Sequence, residues 1–156
     1  CKILDTRKTT PNFRYFEKLA VKIGRGVNHR FGLYDMIMLK DNHVDYCGGI
    51  ALAIQRAKAY NQKLGIQLPI EVETRSLDEV KQVLDAGGVY RIMLDNFSIE
   101  NCKEAVDFVG GKIPLEASGG ITLDTIRNYA ETGLDYISVG SLTYSYKCLD
   151  ISLKAF

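Results

Sequence analysis

Short apolar runs alternate along this chain with stretches of helical period. The runs at 2–5, 36–40, 70–74, 91–95, 113–118 and 136–140 are rich in Ile, Leu, Val and Met and have the length of strands. Between them, 13–23, 49–64, 77–86, 99–109 and 123–131 repeat apolar residues at the spacing of an amphipathic helix. The punctuation agrees: Ser76, Ser98 and Thr122 stand where N-caps belong, and Gly24, Gly65, Gly87, Gly110 and Gly133 stand at or just past helix ends. Strand–helix repeats of this kind predict an α/β protein with a parallel sheet. Apolar runs without alternation predict strands buried on both faces. No Gly-x-Gly-x-x-Gly comes after the first strand, which disfavours a dinucleotide-binding fold.

The C-terminal ends of the strands favour a barrel over an open sheet. The first run ends at Asp5, with Arg7 and Lys8 beyond, and the second at Lys40-Asp41. The third holds Glu71 and Glu73, two apart and therefore on one side of the strand. The fourth ends at Asp95-Asn96, the fifth at Ser118-Gly119-Gly120 and the sixth at Gly140-Ser141. A (β/α) barrel gathers its C-terminal strand ends on one rim, where active sites sit, so six polar ends point to one shared site.

Composition narrows the class. At 156 residues, 46% hydrophobic and 25% charged, the chain is expected to form one globular domain. A net charge of +1 with interspersed signs argues against a nucleic-acid or membrane surface. Cys1, Cys47, Cys102 and Cys148 are scattered, with no metal-ligand spacing, as expected of reduced thiols in a cytosolic protein. His43 reads as a loop or capping residue.

The candidate chemistry divides by charge. Arg7, Lys8, His29, Arg30 and Lys40 are potential cations near the rim, suited to carboxylates or phosphates. The glycine turns in "EASGGIT" and "SVGSLT" come after the last two strands, and the first is expected to open a helix near Thr122. This is the recurrent phosphate cradle of a barrel. Glu73 and Asp95 would repel such a ligand unless they face a divalent metal or a developing positive charge. Phosphates together with an incipient cation describe phosphoribosyl transfer.

Taken in order, "ILDTRKTTP", His29-Arg30 in a glycine-bearing loop, "MLKDNH", "EVE", "MLDNF", "EASGGIT" and "SVGSLT" resemble quinolinate phosphoribosyltransferase, also called nicotinate-nucleotide pyrophosphorylase (carboxylating). The resemblance covers essentially the whole chain. It implies a pentosyltransferase of de novo NAD biosynthesis. Such an enzyme joins quinolinate to phosphoribosyl pyrophosphate, releases pyrophosphate and CO2, and leaves nicotinate mononucleotide. It further implies an incomplete α/β TIM-like barrel, a cytoplasmic location and a homodimer or larger assembly. By motif, Thr6, Arg7, Lys8, His29, Arg30 and Lys40 would bind quinolinate. Lys8, Glu73 and Asp95 would meet phosphoribosyl pyrophosphate, with Glu73 and Asp95 holding Mg2+ directly or through water. Ser118, Gly119, Gly120, Gly140, Ser141 and Leu142 would cradle the 5′-phosphate. Lys8, Lys40, Glu73 and Asp95 are the expected catalytic group.

The resemblance also implies that an N-terminal sandwich domain and the first part of the barrel precede these motifs, so that residues 1–156 are the catalytic barrel portion. In the family a partner-subunit arginine from that domain covers the quinolinate site. Two other expectations stand beside the main one. One is a barrel glycosyltransferase for another anionic ring, such as a molybdenum-operon homologue, against which Thr6-Arg7-Lys8 and His29-Arg30 argue. The other is a barrel fragment that folds without catalysing. "AGGVYRIMLD" is one residue longer than the family's usual turn and is expected at the rim opposite the site. The tail, "CLDISLKAF", alternates like a strand and is expected to pair with the sandwich domain.

Overall fold

The computed structural model describes residues 1–156. Six strands, β1 (Lys2–Leu4), β2 (Ile37–Leu39), β3 (Ile70–Thr74), β4 (Arg91–Asp95), β5 (Leu115–Ser118) and β6 (Tyr136–Ser138), form one sheet in the order β1-β6-β5-β4-β3-β2. Every pair is parallel. The helices are α1 (Arg14–Ile23), α2 (Asp41–Cys47), α3 (Ile50–Leu64), α4 (Leu77–Ala86), α5 (Ile99–Val109), α6 (Ile126–Ala130) and α7 (Ser141–Tyr144). On its free side β1 gains a single parallel bridge to Val27, whose N–H donates to Ile3 O at 2.8 Å and whose carbonyl accepts from Asp5 N–H at 3.2 Å. Between that bridge and β2 the sheet does not close, so the barrel is incomplete.

The middle strands are buried on both faces, as expected, and one of those faces is polar. β3 is buried at all five residues, yet β3, β4 and β5 are not apolar on both faces. Ile70, Val72, Ile92, Leu94, Leu115, Ala117 and Ile137 pack with Ile54, Val80, Val83, Cys102 and Val109 of the surrounding helices into one apolar core. The alternate residues Glu71, Glu73, Arg91, Met93, Asp95, Glu116 and Ser118 point the other way, into the barrel. The alternation of a half-polar sheet is present, with the polar face turned inward rather than to solvent.

Helix ends agree with the sequence closely where caps are strong. Ser76 Oγ accepts from Glu79 N–H at 3.3 Å and Ser98 Oγ accepts from Asn101 N–H at 3.2 Å, fixing the starts of α4 and α5. Gly65 closes α3 in the left-handed conformation, φ 66°. Two helices differ from expectation. α2 has no counterpart in the sequence pattern, because Val44 is its one buried residue and it shows no apolar stripe. His43 Nδ1 accepts the Lys40 N–H at 3.0 Å and fastens its start. α6 begins at Ile126, not 123, because Thr125 Oγ1 accepts the Thr122 N–H at 3.0 Å and closes a separate turn first.

The turn within "AGGVYRIMLD" enters β4 from its N-terminal end and lines a pocket with Asn61 and Pro69, away from the C-terminal rim, as expected. The alternating tail forms no strand: residues 145–156 hold no helix or strand, and Leu149, Ile151 and Leu153 are exposed. No helix is long and apolar enough to cross a membrane. All four cysteines are free, and burial pushes the Cys102 thiol up to about 11.

Candidate active site

Asp5, at the end of β1, has no solvent exposure. Its Oδ1 accepts from Lys18 Nζ at 2.5 Å and from His29 N–H at 2.8 Å, and its Oδ2 accepts from Asn28 Nδ2 at 2.6 Å. A buried carboxylate needs such a set of donors, and the set pins the glycine-bearing loop to β1. The next residues fold over α1. Glu17 accepts from the Thr10 N–H at 3.0 Å and its hydroxyl at 2.7 Å. Arg14 donates to Thr9 Oγ1 and to Arg7 O, and Thr143 Oγ1 donates to Lys8 O at 2.7 Å. The backbone of the 6–10 loop is therefore clamped from two helices, while Arg7 Nε is buried with no protein partner.

Arg30 stands near Arg7. Burial and then the Arg7 charge lower its pKa from the usual arginine value, with Glu71 and Asp35 opposing. Two neighbouring, partly desolvated guanidiniums are a site for an anion between them. Lys40 reaches Glu73 across the mouth, Nζ to Oε2 2.6 Å, with Lys40 half exposed and Glu73 nearly buried. Asp95 lies beside them. Burial first, and then the Glu73 charge, hold its carboxyl above the ordinary aspartate value, against Lys40 and a hydrogen bond from Asn96 Nδ2 at 2.8 Å. Two neighbouring carboxylates around one lysine are a donor set that fits a divalent cation.

The far side of the mouth is built from the turns after β5 and β6. Gly119 has φ 100°, and a Cβ there would run into the Asn96 carboxamide. Asn96 itself takes φ 56°, so the turns after β4 and β5 interlock. The N–H groups of Gly119, Gly120, Gly140 and Ser141 donate to no other residue of the chain. The expected helix start at Thr122 is replaced by the Thr122–Thr125 turn, so these turn amides, rather than a helix terminus, offer the donors.

One cavity of roughly 860 Å³ is lined by Thr6, Arg7, Lys8, His29, Arg30, Lys40, Glu73, Asp95, Ser118, Gly119, Gly120, Gly140 and Ser141. These are every expected site residue except Leu142, which lines a separate apolar groove with Phe13, Phe16 and Tyr146. Its N–H donates to Val139 O at 3.4 Å, unlike the unbonded amides of the two turns.

His29 is placed differently from a rim cation. It is buried, and its Nδ1 accepts the Arg30 N–H at 2.7 Å. Its Nε2 lies 2.9 Å from Glu71 Oε2 and 3.6 Å from Glu116 Oε2. Arg91 completes the group, with Nε 2.8 Å from Glu71 Oε1 and 3.1 Å from Glu116 Oε2. His29, Glu71 and Glu116 bring ligand-type atoms within 4.8 Å of one another, but the Arg91 guanidinium already supplies their cation. The sequence pattern gives Arg91 and Glu116 no site role, because each stands in a strand among apolar neighbours and their partners lie far away in sequence. Their inward positions, with Arg91 four residues from Asp95 and Glu116 two from Ser118, are the signal that points to them.

Comparison with known proteins fits this geometry. The family model for the quinolinate phosphoribosyl transferase C-terminal domain matches residues 1–154. A tobacco (Nicotiana tabacum) protein named quinolinate phosphoribosyltransferase [decarboxylating] 2b, mitochondrial, is 45% identical over 166 residues, covering 97% of this chain and 47% of that protein. A Bacillus subtilis protein named probable nicotinate-nucleotide pyrophosphorylase [carboxylating] is 46% identical over 152 residues, covering 97% and 51%. The crystal structure of NadC from Streptococcus pyogenes superposes with a TM-score of 0.92 at 47% identity, over 99% of this chain and 53% of that one. A thiamine phosphate pyrophosphorylase from Pyrococcus furiosus shares only the fold, at 18% identity and a TM-score of 0.56. The chain spans about half the length of the curated relatives it matches. By its sequence from end to end, its open barrel and the residues gathered at one rim, the chain belongs to the quinolinate phosphoribosyl transferase family, as the C-terminal domain.

Proposed function

We propose that residues 1–156 are the catalytic barrel of an enzyme that transfers the phosphoribosyl group of phosphoribosyl pyrophosphate to quinolinate. Decarboxylation then gives nicotinate mononucleotide, pyrophosphate and CO2. The observation that carries this reading is the cavity itself: cations on one wall, paired carboxylates in the middle and unbonded turn amides on the other. Quinolinate is a dianion. Arg7, Lys8, Arg30 and Lys40 would hold its carboxylates and fix its ring nitrogen for attack, which removes much of the entropic barrier. The turn amides of 119–120 and 140–141 would hold the 5′-phosphate.

In the reaction the ring nitrogen's lone pair forms a bond to ribose C1 as the bond to pyrophosphate breaks. Glu73 and Asp95 favour the positive charge that develops on the sugar. Mg2+ bound by Glu73 and Asp95, directly or through water, would supply charge neutralisation for the pyrophosphate. The nitrogen of the transferred ring is cationic. Its positive charge can therefore stabilise the electron pair that stays on C2, as an ylide, when the C2–carboxyl bond breaks, before a proton restores the C–H bond. Free thiols support a cytoplasmic location, and exposed Phe16, Leu19 and Ile23 on α1 support a homodimer or larger assembly.

The deciding experiment gives the full-length protein quinolinate labelled in the C2 carboxyl, phosphoribosyl pyrophosphate and Mg2+. Nicotinate mononucleotide, pyrophosphate and labelled CO2 should appear in equal amounts. Faster turnover of a different anionic ring would favour the related glycosyltransferase. Binding of both substrates by residues 1–156 without turnover would assign the chemistry to the longer protein.

A further inference from the structure

Four titratable side chains lie at and below the cavity floor with almost no contact with solvent: His29, Glu71, Arg91 and Glu116. The proposed chemistry uses none of the last three. Every polar atom of His29 is held. Its N–H donates to Asp5 Oδ1, its carbonyl accepts from Lys18 Nζ at 3.0 Å, and its Nδ1 accepts from the Arg30 N–H at 2.7 Å. An Nδ1 that accepts an N–H carries no proton, so the ring is the neutral Nε2–H tautomer. That Nε2–H then donates to Glu71 Oε2 at 2.9 Å. The 3.2 Å approach of Arg91 Nη2 to the same nitrogen is a contact between two donors, and the Nη2 hydrogens go instead to Glu71 Oε2, also at 3.2 Å, and to Met36 Sδ at 3.9 Å.

Glu71 thus decides which imidazole nitrogen is protonated, and Arg91 decides where Glu71 sits. The guanidinium grips Glu71 with two hydrogen bonds, and its carbon lies 5.0 Å from the centre of the Tyr136 ring and 5.9 Å from that of Tyr90. On the other side of the imidazole, Arg30 donates to Met36 O at 3.2 Å and lines the cavity beside Arg7. The other tautomer would set an Nδ1–H against the Arg30 N–H and displace that residue.

We propose that Glu71 and Arg91 are positioning residues: by holding His29 in its Nε2–H form they aim Arg30 at the carboxylate subsite. This rests on the proposed function for the identity of the ligand, but not for the tautomer.

The chain has two histidines, so imidazole 15N resonances report the tautomer directly, with His43 as internal reference. Unsubstituted chain should show His29 as Nε2–H. Glu71→Gln, nearly isosteric, can donate its amide to Nε2 and should move His29 toward Nδ1–H. Quinolinate affinity by calorimetry should fall about tenfold or more, the range seen when partners orienting an imidazole are lost around metals. Affinity for phosphoribosyl pyrophosphate with Mg2+ should stay within about twofold. Arg91→Lys keeps the charge but loses the fork, and should fall between the two. An Nδ1–H or doubly protonated His29 in the unsubstituted chain overturns the proposal, whether or not the variants fold. So does equal loss of both ligands in a folded Glu71→Gln chain, or an unchanged quinolinate affinity. If the full-length protein bound neither ligand, the functional reading would fail, and the 15N spectra would still judge the relay.

Discussion

Arg30 and Glu73 lie in one cavity, but the proposed function gives them separable tasks, because one would face a ground-state anion and the other a charge present only in the transition state. Arg30→Ala in the full-length protein should raise KM for quinolinate about 10–100-fold, the cost of a charge-assisted contact, with a smaller effect on kcat. Glu73→Ala should lower kcat about 100-fold or more, with a small change in KM. Steady-state kinetics with each substrate varied in turn give both numbers, and the reverse pattern would refute the split. At this scale the rim is legible in the sequence, because its residues stand at strand ends and carry charge in plain view. The layer beneath is not. Glu71 and Arg91 are 20 residues apart and His29 and Arg91 are 62 apart, so only the register of β3 against β4 reveals them as partners. In sequence His29 groups with the cations because its neighbour Arg30 is one. Burial and a hydrogen bond to its Nδ1 give it other work.

Elements place these residues, and the turns matter more than the helices. The turn after β5 needs Gly119 for two reasons: φ 100° strains any residue with a side chain, and the space is filled by Asn96. Gly119→Ala should lower stability by about 1–3 kcal/mol and raise KM for phosphoribosyl pyrophosphate roughly tenfold or more, leaving quinolinate KM within about twofold. Thermal unfolding read beside kinetics tests this; equal effects on both substrates would show that the turn supports the whole rim rather than the phosphate side. α3, α4 and α5 are readable because end signals and a buried stripe agree with one another. α2 has neither an apolar stripe nor a side-chain cap of the usual type, and α6 loses its first turn to a threonine–threonine bond that propensity does not anticipate. The same local bond moves the donors of the phosphate side from a helix terminus to turn amides.

At the scale of the molecule, an open barrel has a filling problem. A closed barrel packs its interior with layers of branched apolar side chains. Here the gap between Val27 and β2 is spanned by polar groups, and the interior below the rim is an ionic cluster. Such a core makes stability depend on pH. Burial, and then the Glu71 charge, push the Glu116 carboxyl up to about 8, against Arg91, whereas an unfolded glutamate titrates near 4.5. Between those values the folded chain holds a proton that the unfolded chain has lost, so stability should fall as pH rises through this window. Glu71 acts in the opposite sense. Burial raises its pKa, but the hydrogen bond from His29, with the charge and hydrogen bonds of Arg91, outweighs that and leaves it below the ordinary value. Its contribution is present above the unfolded pKa and disappears as pH falls through the folded one. The two together predict a stability maximum on the mildly acidic side. Glu116→Gln should flatten the decline toward pH 8.5 and leave the acid limb in place. With about 1.4 kcal/mol per shifted pKa unit and about 2–4 °C per kcal/mol for a domain of this size, the difference at pH 8.5 should be on the order of ten degrees. Melting curves at pH 5.5, 7 and 8.5 decide it. Parallel profiles for the two proteins would mean that Glu116 is ionised in the folded chain throughout, and that the barrel interior carries its second negative charge without a proton.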